Sequence, residues 1–378
     1  MNNVLIVSIG FSPNIGGIET HFDDLVAAIS KKKLKNWVLT YKPITTNVKA
    51  RFFERKGGYT EIYRIPWVSG IFYKLVKNPI LEFIYLVPGL FVGLPIFLFL
   101  KGKEISVIHS HGLVAGFASV FWGKIFGKRV ITTTHSIYHF PKTGIYREFS
   151  FWIFNSSDLV LTLSKQSKKE IEQLGISKEK VKVFTYWIDL NRFKRIENAK
   201  EKLNLNGKFI VFCASRLVPE KGVGELLKAA SLWNKKIRLL MASDGPLKNE
   251  VLNYQKKYKN VIYVGRLTQE QLPLYYSAAD LFIIPSTHEE GFGRVILESL
   301  ACGTPVIGSN RGAIPEAMDN TVGRLIEITP ENIINAVEYF YKNSVKLEKL
   351  SKNARSFAEK RFSEKNAETI IKAYKQTK

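Results

Sequence analysis

Two glutamates, Glu290 and Glu298, are separated by seven residues in the segment HEEGFGRVILESLACGTPVIGSN. A glycine-rich loop holds the first, and an apolar helical pattern holds the second. A carboxylate within such a helix can accept hydrogen bonds from two neighbouring hydroxyls, as a ribose would offer. The alternative is a structural i,i+4 ion pair with Arg294. The helix N-terminus that follows Gly291 and Gly293 is a further candidate site for an anion.

Two cations follow another predicted strand, in the segment SRLVPEKG. Arg216 and Lys221 lie between the apolar run FIVFCAS and a helical pattern, which places them at the carboxyl end of a sheet. A guanidinium fork and a point charge could hold a diphosphate at such a place. The alternative is that both are solvated loop cations.

The first predicted strand ends in GFSPNIGGIET, where Gly16 and Gly17 would let backbone amides approach a phosphate. The spacing differs from G-x-G-x-x-G, so a nicotinamide cofactor is not indicated. His135 closes the strand VITTTH, and its titration range suits proton handling, with a structural role as the alternative. His109 and His111 share one side of the strand VIHSH, where packing is favoured because no ligand is spaced to complete a metal site.

Short apolar runs alternate with amphipathic helical segments along the chain, which is typical of parallel sheets built from βαβ units. The predicted strands are VLIVSIGF, VIHSH, VITTTH, LVLTLS, VKVFTY, FIVFCAS, IRLLMAS, VIYVG, LFIIPS, PVIGSN and GRLIEI. A length of 378 residues favours two domains, and the apolar periodicity lapses over 185–208. The sequence therefore predicts an α/β fold of two facing, doubly wound Rossmann-like domains with a cleft between them.

The net charge of +23 is concentrated in one part of the chain, since residues 28–151 contain 19 Lys or Arg and 5 Asp or Glu. Such a field favours anionic partners, namely nucleic acid, acidic lipid or a phosphorylated substrate, and a solvated lysine-rich surface is the alternative. The apolar stretch 79–100 is long enough to span a membrane. It is interrupted by Glu82, Pro88, Gly89, Gly93 and Pro95, so buried or membrane-touching helices are favoured over a span.

The chain has two cysteines, Cys213 and Cys302, each within an apolar run. This gives no support to a disulfide framework or a thiolate metal site and favours a reducing, cytoplasmic setting. The first residues lack a basic segment followed by a long apolar core, so they are predicted to form a strand.

A series of segments resembles the retaining nucleotide-sugar glycosyltransferases of family four, which have the GT-B fold. In chain order they are SPNIGGIE, VIHSHG, TTTHS, SRLVPEKG, SDGP, EEGFGRVILESLACGTPVIGSN and GAIPE. The spacing of Glu290 and Glu298 is the most specific element. The resemblance implies an acceptor-binding domain at 1–188, a nucleotide-sugar-binding domain at 189–358, and a C-terminal helix at 359–378 that crosses back. TTHSIY and SRLVPEKG bear a weaker resemblance to the catalytic subunit that adds N-acetylglucosamine to phosphatidylinositol.

The resemblance implies a role for each candidate residue. Two would be catalytic: Glu290 would contact the donor sugar, and His135 would lie beside the reacting carbon and the acceptor. Arg216 and Lys221 would hold the donor diphosphate, and Glu298 would bind the ribose. The implied donor-binding residues are Gly16, Gly17, Arg216, Lys221, Gly291, Phe292, Gly293 and Glu298. No cofactor is implied, and no metal is required; the sequence contains no Asp-x-Asp.

The implied activity is transfer of a hexose or N-acetylhexosamine from a UDP- or GDP-sugar to a lipid-linked acceptor, with the configuration of the sugar retained. The incoming hydroxyl would attack from the side of the leaving group. The expected location is cytoplasmic, at the inner face of a membrane with anionic lipid. Two alternatives are a nucleotide-sugar epimerase of the same fold and, on charge alone, a nucleic-acid-binding protein.

Three segments depart from the family pattern. YWID, with Tyr186 and Trp187, stands where Asn-Gly-Val-Asp is common, and therefore places two large rings near the predicted hinge. GA at 312–313 stands where Gly-Gly is common, and SDGP at 243–246 replaces Gly-Asp-Gly-Pro.

Overall fold

A computed structural model describes residues 3–14, 16–46, 48–75 and 78–376. The chain forms two compact units, of which the first comprises Met1–Tyr186 and Glu364–Lys378 and the second Trp187–Ser363. The C-terminal segment thus belongs to the first unit. The assignment of acceptor and donor binding to separate domains stays a prediction.

Within the described residues, the first unit contains an eight-stranded sheet. Its strands are β1 (Val4–Val7), β2 (Asn36–Tyr41), β3 (Phe53–Lys56), β4 (Thr60–Ile65), β5 (Val107–His111), β6 (Arg129–Thr134), β7 (Leu159–Thr162) and β8 (Val181–Val183). The spatial order is β3-β4-β2-β1-β5-β6-β7-β8, and every pair is parallel except β3 with β4. The strand order therefore reverses direction between β1 and β5, and such a point is a preferred place for a ligand.

Helices connect the parallel strands of the first unit. They are α1 (Gly17–Lys31), α2 (Phe72–Leu75), α3 (Pro79–Lys101), α4 (Gly112–Ile125), α5 (Ile145–Ser156) and α6 (Lys165–Gln173). Helix α1 buries Phe22, Leu25, Val26 and Ile29 on one face, as expected for an amphipathic segment that packs on a sheet. Strands β1, β2, β5, β6 and β7 are buried along their whole length, as expected for a sheet covered on both faces.

The apolar stretch 79–100 is one continuous helix, α3. The side chain of Asn78 caps it by accepting a hydrogen bond from the backbone N–H of Ile80 at 2.9 Å, and Pro79 follows in the first turn. Gly89 allows the ring of Tyr41 to lie close to the helix backbone, because a Cβ at residue 89 would be 2.5 Å from that ring. Glu82 is largely buried, which raises the pKa of its carboxyl to about 7.

The second unit contains, within the described residues, a six-stranded parallel sheet of order β11-β10-β9-β12-β13-β14. Its strands are β9 (Phe209–Ala214), β10 (Ile237–Ala242), β11 (Val261–Gly265), β12 (Leu281–Ile284), β13 (Val306–Ser309) and β14 (Gly323–Ile326). The chain runs from β9 toward one edge and from β12 toward the other. The strand order therefore reverses between β9 and β12.

The remaining helices complete both units. Those of the second unit are α7 (Ala199–Lys202), α8 (Val223–Leu232), α9 (Lys248–Lys257), α10 (Leu272–Ala278), α11 (Arg294–Ala301), α12 (Ile314–Ala317), α13 (Pro330–Lys342) and α14 (Ser344–Arg361). The last helix, α15 (Ala367–Lys375), belongs to the first unit. The prediction of two doubly wound α/β domains built on parallel sheets is confirmed. Cys213 and Cys302 are both buried free thiols.

Candidate functional site

The loops that follow β9 and β12 bring Lys221 and Glu290 together. The ammonium of Lys221 donates a hydrogen bond to Oε1 of Glu290, and the hydroxyl of Ser286 donates to the same oxygen. The two charged side chains are only 15% and 12% exposed. Because β9 and β12 are the neighbours between which the strand order reverses, the pair lies at the topological switch point of this sheet.

Two glycines fix the backbone around this pair. Gly222 has φ of 65°, and a Cβ there would lie 1.9 Å from the carbonyl oxygen of Pro285. Gly312 has φ of 56°, and a Cβ there would lie 2.5 Å from the backbone nitrogen of Glu290. The N–H of Ala313 donates to the carbonyl of Glu290 at 2.9 Å. Ala313 itself has φ of −90°, which any residue adopts, so alanine is accommodated where the family has a second glycine.

Glu290 is held as a carboxylate. Burial alone would raise the pKa of Glu290, but the charge of Lys221 and hydrogen bonds from Lys221 and Ser286 outweigh it, and the pKa is lowered. Its second oxygen, Oε2, lies 3.9 Å from Nε2 of His288 and makes no hydrogen bond within the described part of the chain. Oε2 can therefore accept a hydrogen bond from a ligand hydroxyl.

Arg216 lies in the same loop region as Lys221 but points to solvent. Its side chain is exposed and forms no ion pair with the residues that the structure describes. The N-terminus of α8 begins after Gly222, and that of α11 begins after the turn of Gly291, Phe292 and Gly293. A cation and two sets of backbone amides are thus available to an anionic ligand at this edge of the sheet.

Glu298 lies within α11 and is 3% exposed. Its Oε1 lies 3.3 Å from Nε of Arg294, and its Oε2 accepts a hydrogen bond from the hydroxyl of Tyr276 at 3.0 Å. Burial, and then the charge of Glu298, raise the pKa of Tyr276 well above its usual range, so the phenol donates this bond. The structure contains the i,i+4 ion pair that the spacing indicated, and the ribose-binding role of Glu298 stays a prediction.

The SDGP segment keeps a backbone conformation that favours glycine. Ser243 has φ of 101°. Its N–H donates a hydrogen bond to the carbonyl of Gly265 at 2.8 Å, and its own carbonyl accepts one from the hydroxyl of Tyr263 at 2.8 Å. These bonds hold the residue in a region that costs an L-amino acid about 1 kcal/mol or more.

Replacing Ser243 by glycine is therefore expected to raise the free energy of unfolding by about 1 kcal/mol, because both hydrogen bonds use only the backbone N–H and carbonyl of residue 243 and survive the change. Urea unfolding of the purified variant measures this gain. The matched control is Ser231→Gly within α8, which should lower stability by about 0.5 to 1 kcal/mol. A loss of stability in both variants would contradict the strain at residue 243.

In the first unit, Gly16 and Gly17 lie where the sequence predicted, at the start of α1. Gly16 has extended backbone, and a Cβ there would lie 2.4 Å from a carboxylate oxygen of Glu19. The structure therefore places a negative charge beside the glycines that the resemblance assigns to a diphosphate. Their donor-binding role stays a prediction.

His135, the predicted catalytic residue of the first unit, is partly buried and belongs to a network of aromatic side chains. Its Nε2 lies 2.8 Å from Nδ1 of His111, and its Nδ1 lies 2.8 Å from the hydroxyl of Tyr186. The ring of His21 lies 4.6 Å from that of Tyr186. Both ring nitrogens of His135 are thus engaged, and Tyr186, a departure from the family pattern, is one of the partners.

His109 forms a second hydrogen-bonded chain beside the first. Its Nδ1 lies 2.6 Å from the hydroxyl of Tyr374 in α15, and its Nε2 lies 2.7 Å from Oγ1 of Thr133. Burial lowers the pKa of His109 and of His135 to about 3, and lowers that of His111 well below its usual range. Within the described residues, no three His, Cys, Asp or Glu side chains are arranged to hold a metal ion. These histidines are therefore neutral hydrogen-bonding groups.

The buried histidines predict acid sensitivity of the first unit. Their folded pKa values lie below the ordinary value of 6.5, so the unfolded chain binds more protons as pH falls from about 6.5 toward 3. The free energy of unfolding is therefore expected to decrease as pH falls through this window. Its pH dependence should correspond to the uptake of up to three protons on unfolding. Urea unfolding at about pH 7 and about pH 5 tests this, and His109→Asn should reduce the slope by about one proton. Equal stability at both pH values would contradict the neutral state of the cluster.

Two family models together match most of the chain. The model described as Glycosyltransferase Family 4 matches residues 15–192, and the model described as Glycosyl transferases group 1 matches residues 195–357. Among curated proteins, a phosphatidylinositol N-acetylglucosaminyltransferase subunit of Arabidopsis thaliana is 23% identical over 352 residues, which is 89% of this chain and 73% of that protein.

Solved structures share the fold over the whole chain. Sucrose-phosphate synthase from Thermosynechococcus elongatus has a TM-score of 0.81 at 20% identity, covering 99% of each chain. HepE from Anabaena, solved in complex with UDP, has a TM-score of 0.77 at 20% identity, covering 98% of this chain and 99% of its own.

Proposed function

We infer that the chain belongs to glycosyltransferase family 4, the retaining nucleotide-sugar transferases of GT-B fold. We propose that it transfers a hexose or N-acetylhexosamine from a UDP- or GDP-sugar to a lipid-linked acceptor. The family assignment favours transfer to an acceptor over the epimerase and nucleic-acid-binding alternatives. The complex of HepE with UDP and the name of the Arabidopsis relative support UDP-N-acetylglucosamine as the first donor to test.

The observation that carries this proposal is the pair of Lys221 and Glu290 at the switch point of the second sheet. Parallel α/β sheets bind ligands outside the carboxyl ends of their strands at such a point. The ammonium of Lys221 and the guanidinium of Arg216 would stabilise the donor diphosphate, and Oε2 of Glu290 would accept a hydroxyl of the sugar.

The chemistry needs electrostatic stabilisation more than a nucleophile. Sugar transfer develops positive charge on the anomeric carbon and negative charge on the departing diphosphate. Cations and helix N-terminal amides fixed at the phosphate position lower the energy of that state without reorganising during the reaction. In this proposal His135 is a neutral residue on the acceptor side, because its pKa lies near 3 and both ring nitrogens have partners.

A lipid-linked acceptor is supported by the charge and apolar character of the first unit. The excess of Lys and Arg over residues 28–151 suits an anionic lipid surface, and α3 is mostly apolar between Glu82 and Lys101. We therefore propose that the protein works as a peripheral enzyme at the cytoplasmic face of a membrane.

Thermal unfolding with UDP, GDP, ADP and their common sugars tests the donor site. One nucleotide series should raise the melting temperature of the wild-type protein by mass action, and Arg216→Ala should reduce that shift. Lys228→Ala, at an exposed position of α8, is the matched control and should respond like the wild type. A well-folded protein that responds to none of these nucleotides would overturn the proposal for the donor.

The acceptor is tested separately with the donor that binds. Labelled UDP-N-acetylglucosamine, or the sugar of the nucleotide that gives the shift, is incubated with vesicles containing phosphatidylinositol and, in parallel, with a soluble glycoside. Label that moves into the organic phase supports a lipid-linked acceptor. Label that moves only to the glycoside contradicts a lipid-linked acceptor and still supports transferase activity.

A further inference from the structure

Helix α3 is long and apolar enough to cross a membrane, but one of its faces belongs to the core of the first unit. Leu86, Leu90 and Leu94 on that face are buried. The hydroxyl of Tyr41 bridges the helix backbone, since it donates to the carbonyl of Leu86 and accepts from the N–H of Leu90 at 2.8 Å. A transmembrane orientation would therefore remove these contacts from the domain.

Neighbouring elements hold the same helix by further hydrogen bonds to its backbone. The indole N–H of Trp122 in α4 donates to the carbonyl of Phe91 at 2.8 Å. The indole N–H of Trp67 donates to the carbonyl of Tyr85 at 2.9 Å. The helix is thus fixed in position by side chains that precede and follow it in the chain.

The opposite face of α3 is apolar and open to solvent. Phe99 is 84% exposed, and in the most apolar part of the helix only 33% of the residues are buried. Val92, Ile96 and Phe99 are spaced by four and three positions, and Ile84 lies about two turns before Val92, so these exposed side chains share one side of the helix. This outer stripe consists of Leu81, Ile84, Val92, Ile96, Phe99 and Leu100.

Lysines lie around the C-terminal end of the outer stripe. Lys101 ends the helix and Lys103 follows it, while Lys124 is exposed at the end of α4. The ammonium of Lys128 donates to the carbonyls of Gly102 at 2.6 Å and Ile105 at 2.9 Å, which brings the end of α4 to the end of α3. Apolar side chains flanked by long cationic ones are typical of helices that lie in a membrane interface.

We propose that the outer stripe docks on an anionic membrane surface, with α3 lying in the plane of the interface. The positive charge of this part of the chain favours an anionic membrane over a second copy of the chain as the partner of the outer stripe. Residues 28–151 carry 19 cationic and 5 anionic side chains, so two copies would bring like charges together, whereas anionic headgroups would neutralise them. The inference rests on the proposed function, because it supplies the surface on which the enzyme meets a lipid-linked acceptor.

Flotation of the full chain with vesicles tests the docking surface. The wild type should float with vesicles of phosphatidylcholine and phosphatidylserine and much less with phosphatidylcholine alone. Ile96→Ser with Phe99→Ser should weaken binding by at least about tenfold, because two exposed apolar side chains are lost. The matched control is Leu232→Ser with Val345→Ser, at equally exposed apolar positions of the second unit, which should bind like the wild type.

The cationic contribution is measured in the same assay. Lys103→Ala with Lys124→Ala should weaken binding to the anionic vesicles by about fivefold for each lysine and leave the weak neutral binding unchanged. Carbonate extraction of loaded membranes should release the protein, because an interfacial helix is peripheral.

Several outcomes would overturn the docking surface. They are equal flotation of the wild type and the stripe variant, retention after carbonate extraction, and a stripe-dependent dimer in gel filtration without vesicle binding. The nucleotide-induced rise in melting temperature tests the donor site independently of vesicle binding, so failure of the docking surface and failure of the proposed function can be told apart. A stripe variant that leaves the vesicles but still responds to nucleotide supports the docking surface, and a wild type that floats without responding to any nucleotide contradicts only the donor proposal.

Discussion

Replacing Lys221 by alanine is expected to weaken nucleotide-sugar binding strongly and to lower the free energy of unfolding by about 3 to 5 kcal/mol. The variant leaves the carboxylate of Glu290 in a site where it is only 12% exposed, without the cation that compensates its charge. The donor diphosphate would lose a fixed charge at the same position, so transfer should fall by about 100- to 1,000-fold.

The pH dependence gives this prediction a direction. In the wild type the pKa of Glu290 is lowered below 4.5, so the pair contributes stability above that pH and loses it as pH falls. Without Lys221, burial raises the pKa instead, and stability should decrease as pH rises. The difference in melting temperature between wild type and variant should therefore widen from about pH 5 to about pH 8.

A double variant separates stability from function. Lys221→Ala with Glu290→Ala removes both charges and should recover most of the lost stability, since no uncompensated carboxylate is left. It should still show no nucleotide-induced shift. Lys228→Ala, at an exposed position of α8, is the control and should match the wild type in both measurements. A Lys221→Ala protein with normal stability and a normal nucleotide response would refute the assignment of this site.

The parallel strands were predictable because burial on both faces leaves an apolar run in the sequence. Strand β5 has the bounds that VIHSH predicts, Val107–His111. Strand β2, Asn36–Tyr41, follows a lysine-rich segment and contains Asn36, whose buried amide donates to the carbonyls of Leu34 and Tyr59. Such side-chain hydrogen bonds allow a polar residue inside a sheet, and a hydropathy pattern does not record them. Strand β3, Phe53–Lys56, is exposed throughout, so its sequence shows no alternation of buried and exposed residues that would predict a strand.

The sequence names each candidate residue separately, but it does not predict which of them are in contact. Lys221 and Glu290 lie 69 residues apart, and they meet only because β12 lies next to β9 in the sheet. Tyr186 was visible in the sequence as a departure from the family pattern. Its hydrogen bond to His135 depends on the path of the chain between the end of β8 and the end of this part of the first unit, which local propensity does not determine.

Replacing Glu298 by alanine is expected to lower the free energy of unfolding by about 3 to 5 kcal/mol, because a buried ion pair is broken from one side. The change removes the carboxylate that lies 3.3 Å from Nε of Arg294 and the acceptor of the hydrogen bond from Tyr276. Glu298→Gln keeps an oxygen for Tyr276 and should cost less, about 1 to 3 kcal/mol. Urea unfolding ranks the two variants. Equal stability of Glu298→Ala and the wild type would show that the ion pair has no structural role.

A second measurement separates the ion pair from the predicted ribose contact. In the double variant Arg294→Leu with Glu298→Leu, apolar side chains replace both charges, so no buried charge is left uncompensated and stability should recover in part. The recovery should fall short of the wild type by about 1 to 3 kcal/mol for each lost bond, because the hydroxyl of Tyr276 loses its acceptor and the carbonyl of Trp187 loses its donor. If Glu298 also accepts the ribose hydroxyls, this stable protein should show no nucleotide-induced rise in melting temperature, since no oxygen remains to receive them. If the double variant is stable and responds to nucleotide like the wild type, Glu298 serves the fold alone. The donor site would then depend on Lys221, Arg216 and Glu290, which follow the neighbouring strands β9 and β12 at the switch point.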